Sequence, residues 1–385
     1  MNWSKFCKIT FSLMIILLFL IIGGYESALF LLNENLDITS AISKQTKQDS
    51  IYGRLLLGQG QDMLYKLEMA NKQKATILVI GSSRVMQIRK EFFKDNVTFY
   101  NCGGIFNAIN DGPWFMDELL KNYEPKIVLI GVDFWWLNPN RKQLKTYVDD
   151  TTLIEKNVIQ RRLFLYRSLN NIIKTKQLEQ TNVKLFYNYQ VKDPFSERSA
   201  IGIRAAVNGD GFRRDGSYQY GGIYSGRVEH HDPGFTSTLK RIKNANNRFE
   251  GGTETDPKRV DVLRKLVQSL RKNDIEVILY APSFADRVYK ALLDSPAHRN
   301  LYLDYIKQMQ KLSQETKAYF YDFSNVTEYG SSDEEIFDGF HGSEKSDARL
   351  ILEMSRRNKI LQVYVDSERI QGYLLNSSHP QLLVE

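Results

Sequence analysis

From Ile9 to Tyr25 the chain carries no charged residue, and no other stretch limits what it can become so strongly. At about 1.5 Å per residue a helix over this run is about 25 Å long, and continued through the apolar patch Ala28 to Leu32 it reaches about 36 Å, enough to cross a bilayer. Lys5 and Lys8 precede the run, while Glu26, Glu34 and Asp37 follow it. The positive-inside bias therefore holds the short N-terminus in the cytoplasm and sends the rest of the chain out. A cleaved signal peptide is the rival reading, but Glu26, two before Ala28, spoils the small-x-small cleavage pattern. The expectation is a single uncleaved anchor over 1–32 in the cell membrane, with an extracytoplasmic domain. Residues 33–74, polar and then helical in pattern (Leu55, Leu56, Leu57, Met63, Leu64, Leu67), read as a stalk that lifts the domain from the bilayer.

Of the 385 residues 42 % are hydrophobic and 25 % charged, which excludes a disordered chain or a coiled coil. The 52 Lys and Arg against 45 Asp and Glu leave a net charge of +7, compatible with an anionic partner. Nucleic acid is disfavoured, because the basic residues are dispersed and the domain faces away from the cytoplasm. Cys7 and Cys102 are the two cysteines, so neither a disulfide framework nor a cysteine zinc site can form. His230-His231-Asp232 lacks a third ligand at a metal-binding spacing. No metal and no cofactor are expected.

From Ala75 onward short apolar runs alternate with helical periodicity. Strands are expected at Thr76 to Ile80, Val97 to Asn101, Lys126 to Ile130, Glu276 to Tyr280 and Ala318 to Asp322. Helices are expected directly after Arg84, over Ile109 to Tyr123, Asp256 to Lys272 (Asp256 capping, Pro257 first), Leu301 to Thr316 and Ser343 to Asn358. Five such strands make a three-layer α/β/α, flavodoxin-like domain with a mostly parallel sheet. It spans 75–372, with a long insertion over 139–255 and a tail over 373–385. The insertion holds a helical region, Thr152 to Lys176, and turns at Asn208 to Gly211 and Arg213 to Tyr220. Ligands of such sheets bind beyond the strands' carboxyl ends. Gly81-Ser82-Ser83-Arg84, Cys102-Gly103-Gly104 and Gly131-Val132-Asp133 all fall at that edge.

Near the C-terminus stands Phe337-Asp338-Gly339-Phe340-His341-Gly342-Ser343. A serine hydroxyl is a poor nucleophile at neutral pH and needs a base, which in turn needs a carboxylate to orient it. Ser83, His341 and Asp338 supply these three roles, with the Ser83 N–H, at the expected helix start, as an oxyanion donor. The bland reading is that Ser82 and Ser83 only cap that helix. Of the two, Ser83 holds the third position of Gly-x-Ser.

The Gly-x-Ser turn after the first strand, the glycine pair after the second and the late Asp-x-x-His together resemble the SGNH (GDSL-like) hydrolase superfamily, over about 75–139 and 256–358. The anchor, the Gly-Ser-Ser-Arg form, Asp322-Phe323-Ser324 and the insertion look like its membrane-anchored acyl-transfer branch, which serves alginate O-acetylation and teichoic-acid D-alanylation beside a membrane-bound O-acyltransferase. The resemblance implies further oxyanion donors at Gly103 or Gly104 and an Asn after the third strand. Asp133 stands there instead, so Asp133→Asn is expected to leave activity unchanged or raise it. Arg84, Asp133 and Trp135 are candidate substrate contacts, Trp135 by stacking on sugar rings.

The implied function is an extracytoplasmic serine O-acyltransferase or carbohydrate esterase. It acts on an envelope or exported polysaccharide through an acyl-serine intermediate, with a membrane-bound O-acyltransferase as acyl donor. The alternatives are a catalytically weak glycan-binding or scaffold subunit of a polymer-modifying complex and a plain secreted esterase.

Overall fold

The computed structural model of this chain describes residues 3–57, 61–142, 158–174, 192–196, 198–226 and 232–383. Its strands are β1 (Ile51–Tyr52), β2 (Ile77–Gly81), β3 (Phe99–Gly103), β4 (Ile127–Gly131), β5 (Ala200–Ile201), β6 (Asp210–Phe212), β7 (Tyr218–Tyr220), β8 (Glu276–Ala281) and β9 (Tyr319–Asp322). The five runs expected as strands are β2, β3, β4, β8 and β9. They form one sheet in the order β3-β2-β4-β8-β9, every neighbouring pair parallel. Their Val- and Ile-rich stretches, such as Ile77-Leu78-Val79-Ile80 and Ile127-Val128-Leu129-Ile130, are buried throughout, as a sheet covered on both faces requires. Helices Asp111–Leu120, Pro257–Lys272 and Arg299–Thr316 pack in series along one side. Glu344–Arg357 packs with Lys359–Gln362 and Ser367–Asn376, which rests on the short turn Lys90–Phe92. Strand order reverses between β2 and β4, and that crevice is where a doubly wound sheet receives ligands.

Trp3–Leu31 is one helix of 29 residues, apolar enough to cross a membrane. Its far end is not loose. Leu29 and Leu32 are buried with Ile51, Leu55, Leu56, Leu165 and Leu169 in a second, smaller core.

Three expected boundaries change. Residues 33–74 are not a stalk. Ile38–Gln48 and Gln61–Gln73 are helices whose Ile42, Met63, Tyr65, Met69 and Ala70 belong to the main core, and β1 joins the insertion's β5, β6 and β7 in a sheet ordered β5-β1-β6-β7. The periodicity that suggested a free helix marks a face packed against β3 and Asp111–Leu120. The buried Lys66 ammonium ties that helix to the Asn101 carbonyl, 2.7 Å away, and to that of Gly216. The insertion is therefore folded into the domain through its described parts: β6 and β7 are antiparallel across the Arg213 to Ser217 turn, whereas Gly209 ends the helix Ile203–Asn208 in the left-handed region. The tail is no tail: Leu382 and Leu383 are buried, and the Leu383 amide donates to Glu344 at 3.2 Å.

The third change concerns the helix expected after Ser83. Only two short 3-10 turns form, Ser83–Val85 and Lys90–Phe92. Asn101 donates to the Val85 and Ile88 carbonyls, both at 2.8 Å, and the Tyr218 amide to that of Met86 at 2.9 Å. The backbone bonds of this segment run i to i+3 (Met86 amide to the Ser83 carbonyl, Ile88 amide to that of Val85), while Asn101 and Tyr218 hold its carbonyls from outside.

If residues 33–74 are core, truncating a side chain there is costly. Met69→Ala is expected to lower stability by about 2–5 kcal/mol, the usual range for emptying a buried methionine site. Urea unfolding of the detergent-solubilised chain measures this, and an unchanged midpoint would restore the stalk.

Candidate active site

Ser83 sits at the first residue of its 3-10 turn, half-buried, with its Oγ 2.8 Å from His341 Nε2. On the other side of the ring, His341 Nδ1 lies 2.8 Å from Asp338 Oδ2. The two serines divide the roles weighed from sequence. Ser82 Oγ accepts from the Arg84 amide at 3.2 Å and caps the turn, while Ser83 faces the imidazole.

The Asp338 to His341 turn is built by the same carboxylate. Asp338 Oδ1 accepts from the His341 amide at 3.0 Å and the Phe340 amide at 3.3 Å, so one side chain folds the turn and orients the ring. Between them Gly339 has φ +99°, and an added Cβ would lie 2.7 Å from Val288 Cγ2; both the conformation and the space require glycine. Burial pushes the Asp338 carboxyl up, but the His341 charge and the hydrogen bonds from His341 and Phe340 outweigh it and hold it at about 2. An ionised carboxylate only accepts. His341 Nδ1 therefore carries the proton, and Nε2 is left to accept from Ser83.

Arg84, Asp133 and Trp135 are brought together, though not as a surface. The Arg84 side chain is buried, as are those of Asp133 and Trp135. Arg84 Nη1 donates to Asp133 Oδ1 at 2.9 Å, Nη2 to the Pro282 carbonyl at 2.8 Å and the Ser283 carbonyl at 2.5 Å, and Nε to the Phe340 carbonyl at 2.8 Å. Its guanidinium lies 4.2 Å from the Phe284 ring centroid and 5.1 Å from that of Trp135. Trp135 packs edge-on against Phe134, Phe249, Phe284 and Phe340. All three are buried and bonded within the domain and present no surface to the cleft.

The glycine pair is also corrected. The Gly103 amide donates to Asn101 Oδ1 at 2.6 Å, and the Gly104 amide to the Gly81 and Ser82 carbonyls at 3.1 and 3.0 Å. Both N–H groups expected in the oxyanion hole are occupied. Among the described residues the Ser83 N–H is donated to no other group, which leaves it as the available donor of the set, on a single turn with no helix behind it.

What sequence reasoning missed is the wall of the cleft. A cavity of about 750 Å³ opens beside His341 and Asp338, lined by Arg141, Lys142, Arg241 and Arg248 and also by Glu250. Arg141 is nine-tenths buried and its Nη1 has no hydrogen-bond partner; burial and then the nearby Arg248 push its pKa down. Ala245, Asn247 and Arg248 all have positive φ, at 48°, 52° and 84°. Backbone strain of this kind costs about 1–3 kcal/mol per residue and concentrates at functional sites. The one sequence signal was the Asn-Ala-Asn-Asn-Arg run, whose asparagines tolerate the left-handed region.

The other histidines are accounted for or fall outside. His298 is buried, with Nε2 2.8 Å from the Phe249 carbonyl and Nδ1 2.7 Å from Ser295 Oγ. His379 Nδ1 accepts from the Gln381 and Leu382 amides at 3.1 and 2.9 Å. His230 and His231 lie outside the described residues. Among the described residues no group of His, Cys, Asp or Glu is arranged to hold a metal.

With Arg84 and Asp133 both out of water, removing one charge strands the other. Asp133→Asn is therefore expected to destabilise the protein, toward the 3–5 kcal/mol typical of a broken buried pair. A urea midpoint matching wild type would sink the ion-pair reading. Comparison with known protein families finds no match for this chain, and no curated protein matches it in sequence.

Proposed function

We propose that this protein is a serine O-acyltransferase or esterase acting outside the cytoplasm on an envelope or exported polysaccharide, as the SGNH-like reading of the sequence implies. The observation that carries the proposal is the continuous relay Ser83 Oγ, His341 Nε2, His341 Nδ1, Asp338, each contact 2.8 Å. Ser83 Oγ attacks an acyl carbonyl while its proton passes to His341 Nε2, and Asp338 stabilises the imidazolium. The tetrahedral oxyanion receives the Ser83 N–H. Collapse expels the donor's alcohol, which takes the proton from Nε2, and leaves an acyl-Ser83 ester. A glycan hydroxyl or water then loses its proton to Nε2 and attacks the acyl carbon, and Nε2 passes that proton to Ser83 Oγ as the acyl bond to it breaks. A membrane-bound O-acyltransferase is the proposed acyl donor, and the apolar helix Trp3–Leu31 would keep the site near it. Lys5 and Lys8, in its first turns ahead of the uncharged run, support the outward orientation.

Four basic residues against Glu250 and Asp338 in the lining of the cleft, with an unpartnered Arg141 nitrogen, support an acceptor that carries negative charge. A second reading, a glycan-binding or scaffold subunit with feeble catalysis, is favoured by the occupied Gly103 and Gly104 amides, since each missing oxyanion donor costs about 3–4 kcal/mol of transition-state stabilisation.

Hydrolysis of an activated acetyl ester by the full-length chain in detergent separates the two. Ser83→Ala and His341→Ala are each expected to lower the rate by roughly three orders of magnitude or more, with unchanged circular dichroism. Wild-type activity equal to that of Ser83→Ala would favour the scaffold. For the cleft, Arg141→Gln with Arg248→Ala should raise KM for an anionic acyl acceptor about tenfold or more, the value of a lost charge-assisted bond, and leave a neutral acceptor unaffected. Equal effects on both acceptors would remove the charge argument.

A further inference from the structure

The helix Val158–Lys174 lies beside the anchor and runs against it. Arg162 Nη1 is 3.2 Å from Glu26 Oε2, and the Tyr25 hydroxyl donates to Asn170 Oδ1 at 3.4 Å. Further along, Leu169 and Ile173 line a groove of about 260 Å³ with Leu20, Ile21 and Gly24. As its numbering climbs from 162 to 173, its neighbours on the anchor fall from 26 to 20. Its C-terminal end thus descends alongside the uncharged run that ends at Tyr25. At about 1.5 Å per residue, Leu20 and Ile21 lie about 6–8 Å inside the level of Tyr25, the depth to which interfacial helices sink their apolar sides.

The composition agrees. The segment VIQRRLFLYRSLNNIIK holds four basic residues, Arg161, Arg162, Arg167 and Lys174, and no acidic one. Leu165 and Leu169 are buried toward the anchor, while Ile159 is 72 %, Leu163 47 % and Ile173 49 % exposed. At 100° per residue these last three fall on one side of the helix, next to the buried stripe. The rings of Tyr25 and Tyr166, 5.3 Å apart, stand at the level where aromatic belts form. An exposed apolar side, flanked by Arg162 on one edge and by Arg167 and Lys174 on the other, and an adjoining span together describe a surface for anionic lipid.

We infer that Val158–Lys174 is a second membrane-contacting element, which rests its exposed apolar side in the domain-side leaflet beside the anchor and so fixes the domain's tilt on the bilayer. The inference rests on Trp3–Leu31 spanning that bilayer; it is independent of the catalytic proposal.

The test uses the full chain in nanodiscs of anionic lipid with and without a doxyl-lipid quencher. Bimane is attached to Ile173→Cys, to Leu17→Cys in the anchor, or to Leu303→Cys on a helix of the core domain. Cys7→Ser is the background, since Cys102 is fully buried. The expected result is quenching at Ile173→Cys to the same degree as at Leu17→Cys, with none at Leu303→Cys. Quenching at Leu17→Cys alone would overturn the inference and leave that helix side facing water or a protein. Absence of quenching at both would overturn the anchor reading, and the inference with it.

Discussion

Arg84 is the contact on which the arrangement of this site depends. It follows the nucleophile directly, and its guanidinium reaches Asp133 beyond β4, the Pro282 and Ser283 carbonyls beyond β8, and the Phe340 carbonyl beside His341. One side chain thus joins the ends of three parallel strands to the histidine turn. The Ser83 to His341 distance is set less by either residue than by this clasp, because both ends of the relay are adjacent in sequence to a group it holds. Buried charges are costly unless their hydrogen bonds are filled. Arg84 meets that condition with four acceptors, whereas Asp133 Oδ2 has none, so the strain of the pair lies on the carboxylate.

A second buried cluster holds the same turn from behind. Glu344, at the start of the helix that follows His341, accepts from Arg89 at 2.8 Å and from Arg213 at 2.7 Å, and also from the Leu383 amide. Those partners come from the loop after β2, the small sheet and the end of the described chain. Arg89 lies on the segment whose helix failed to form, so that segment is held by side chains from elsewhere instead of by its own backbone. The small sheet and the segment once read as a stalk are then needed for the site, since they carry Arg213 and support the loop after Ser83.

How much of this was legible follows from the range of each interaction. The five core strands and most of the sheet-packing helices are written in local periodicity, and so is the Asp338 to His341 turn, whose bonds span three residues. The Ser83 to His341 contact bridges 258 positions; its parts were recognisable because their chemistry is distinctive. Asp133 was read as a candidate substrate contact because it stands at a strand's carboxyl end, while its partner, Arg84, comes from another strand end. Gly103 and Gly104 were misassigned for a related reason: a backbone N–H has no sequence signature, and Asn101 Oδ1 captures one of the two. The helix Gln61–Gln73 shows the limit of periodicity, which reveals an apolar side and cannot say what covers it.

The contrast between core and cleft gives the last step. Around Arg84 nearly every donor is filled, and the aromatic cluster of Trp135, Phe249, Phe284 and Phe340 excludes water. In the wall of the cleft the rules are broken: Arg141 Nη1 and Glu250 Oε2 have no hydrogen-bond partner, Ala245, Asn247 and Arg248 hold positive φ, and four basic residues line one cavity. Local rules that fail together at one place, next to a well-satisfied scaffold, are expected where a ligand completes the structure. The scaffold's hydrogen bonds hold Ser83 against His341, and the unsatisfied polar groups are left in the wall of the cleft beside them.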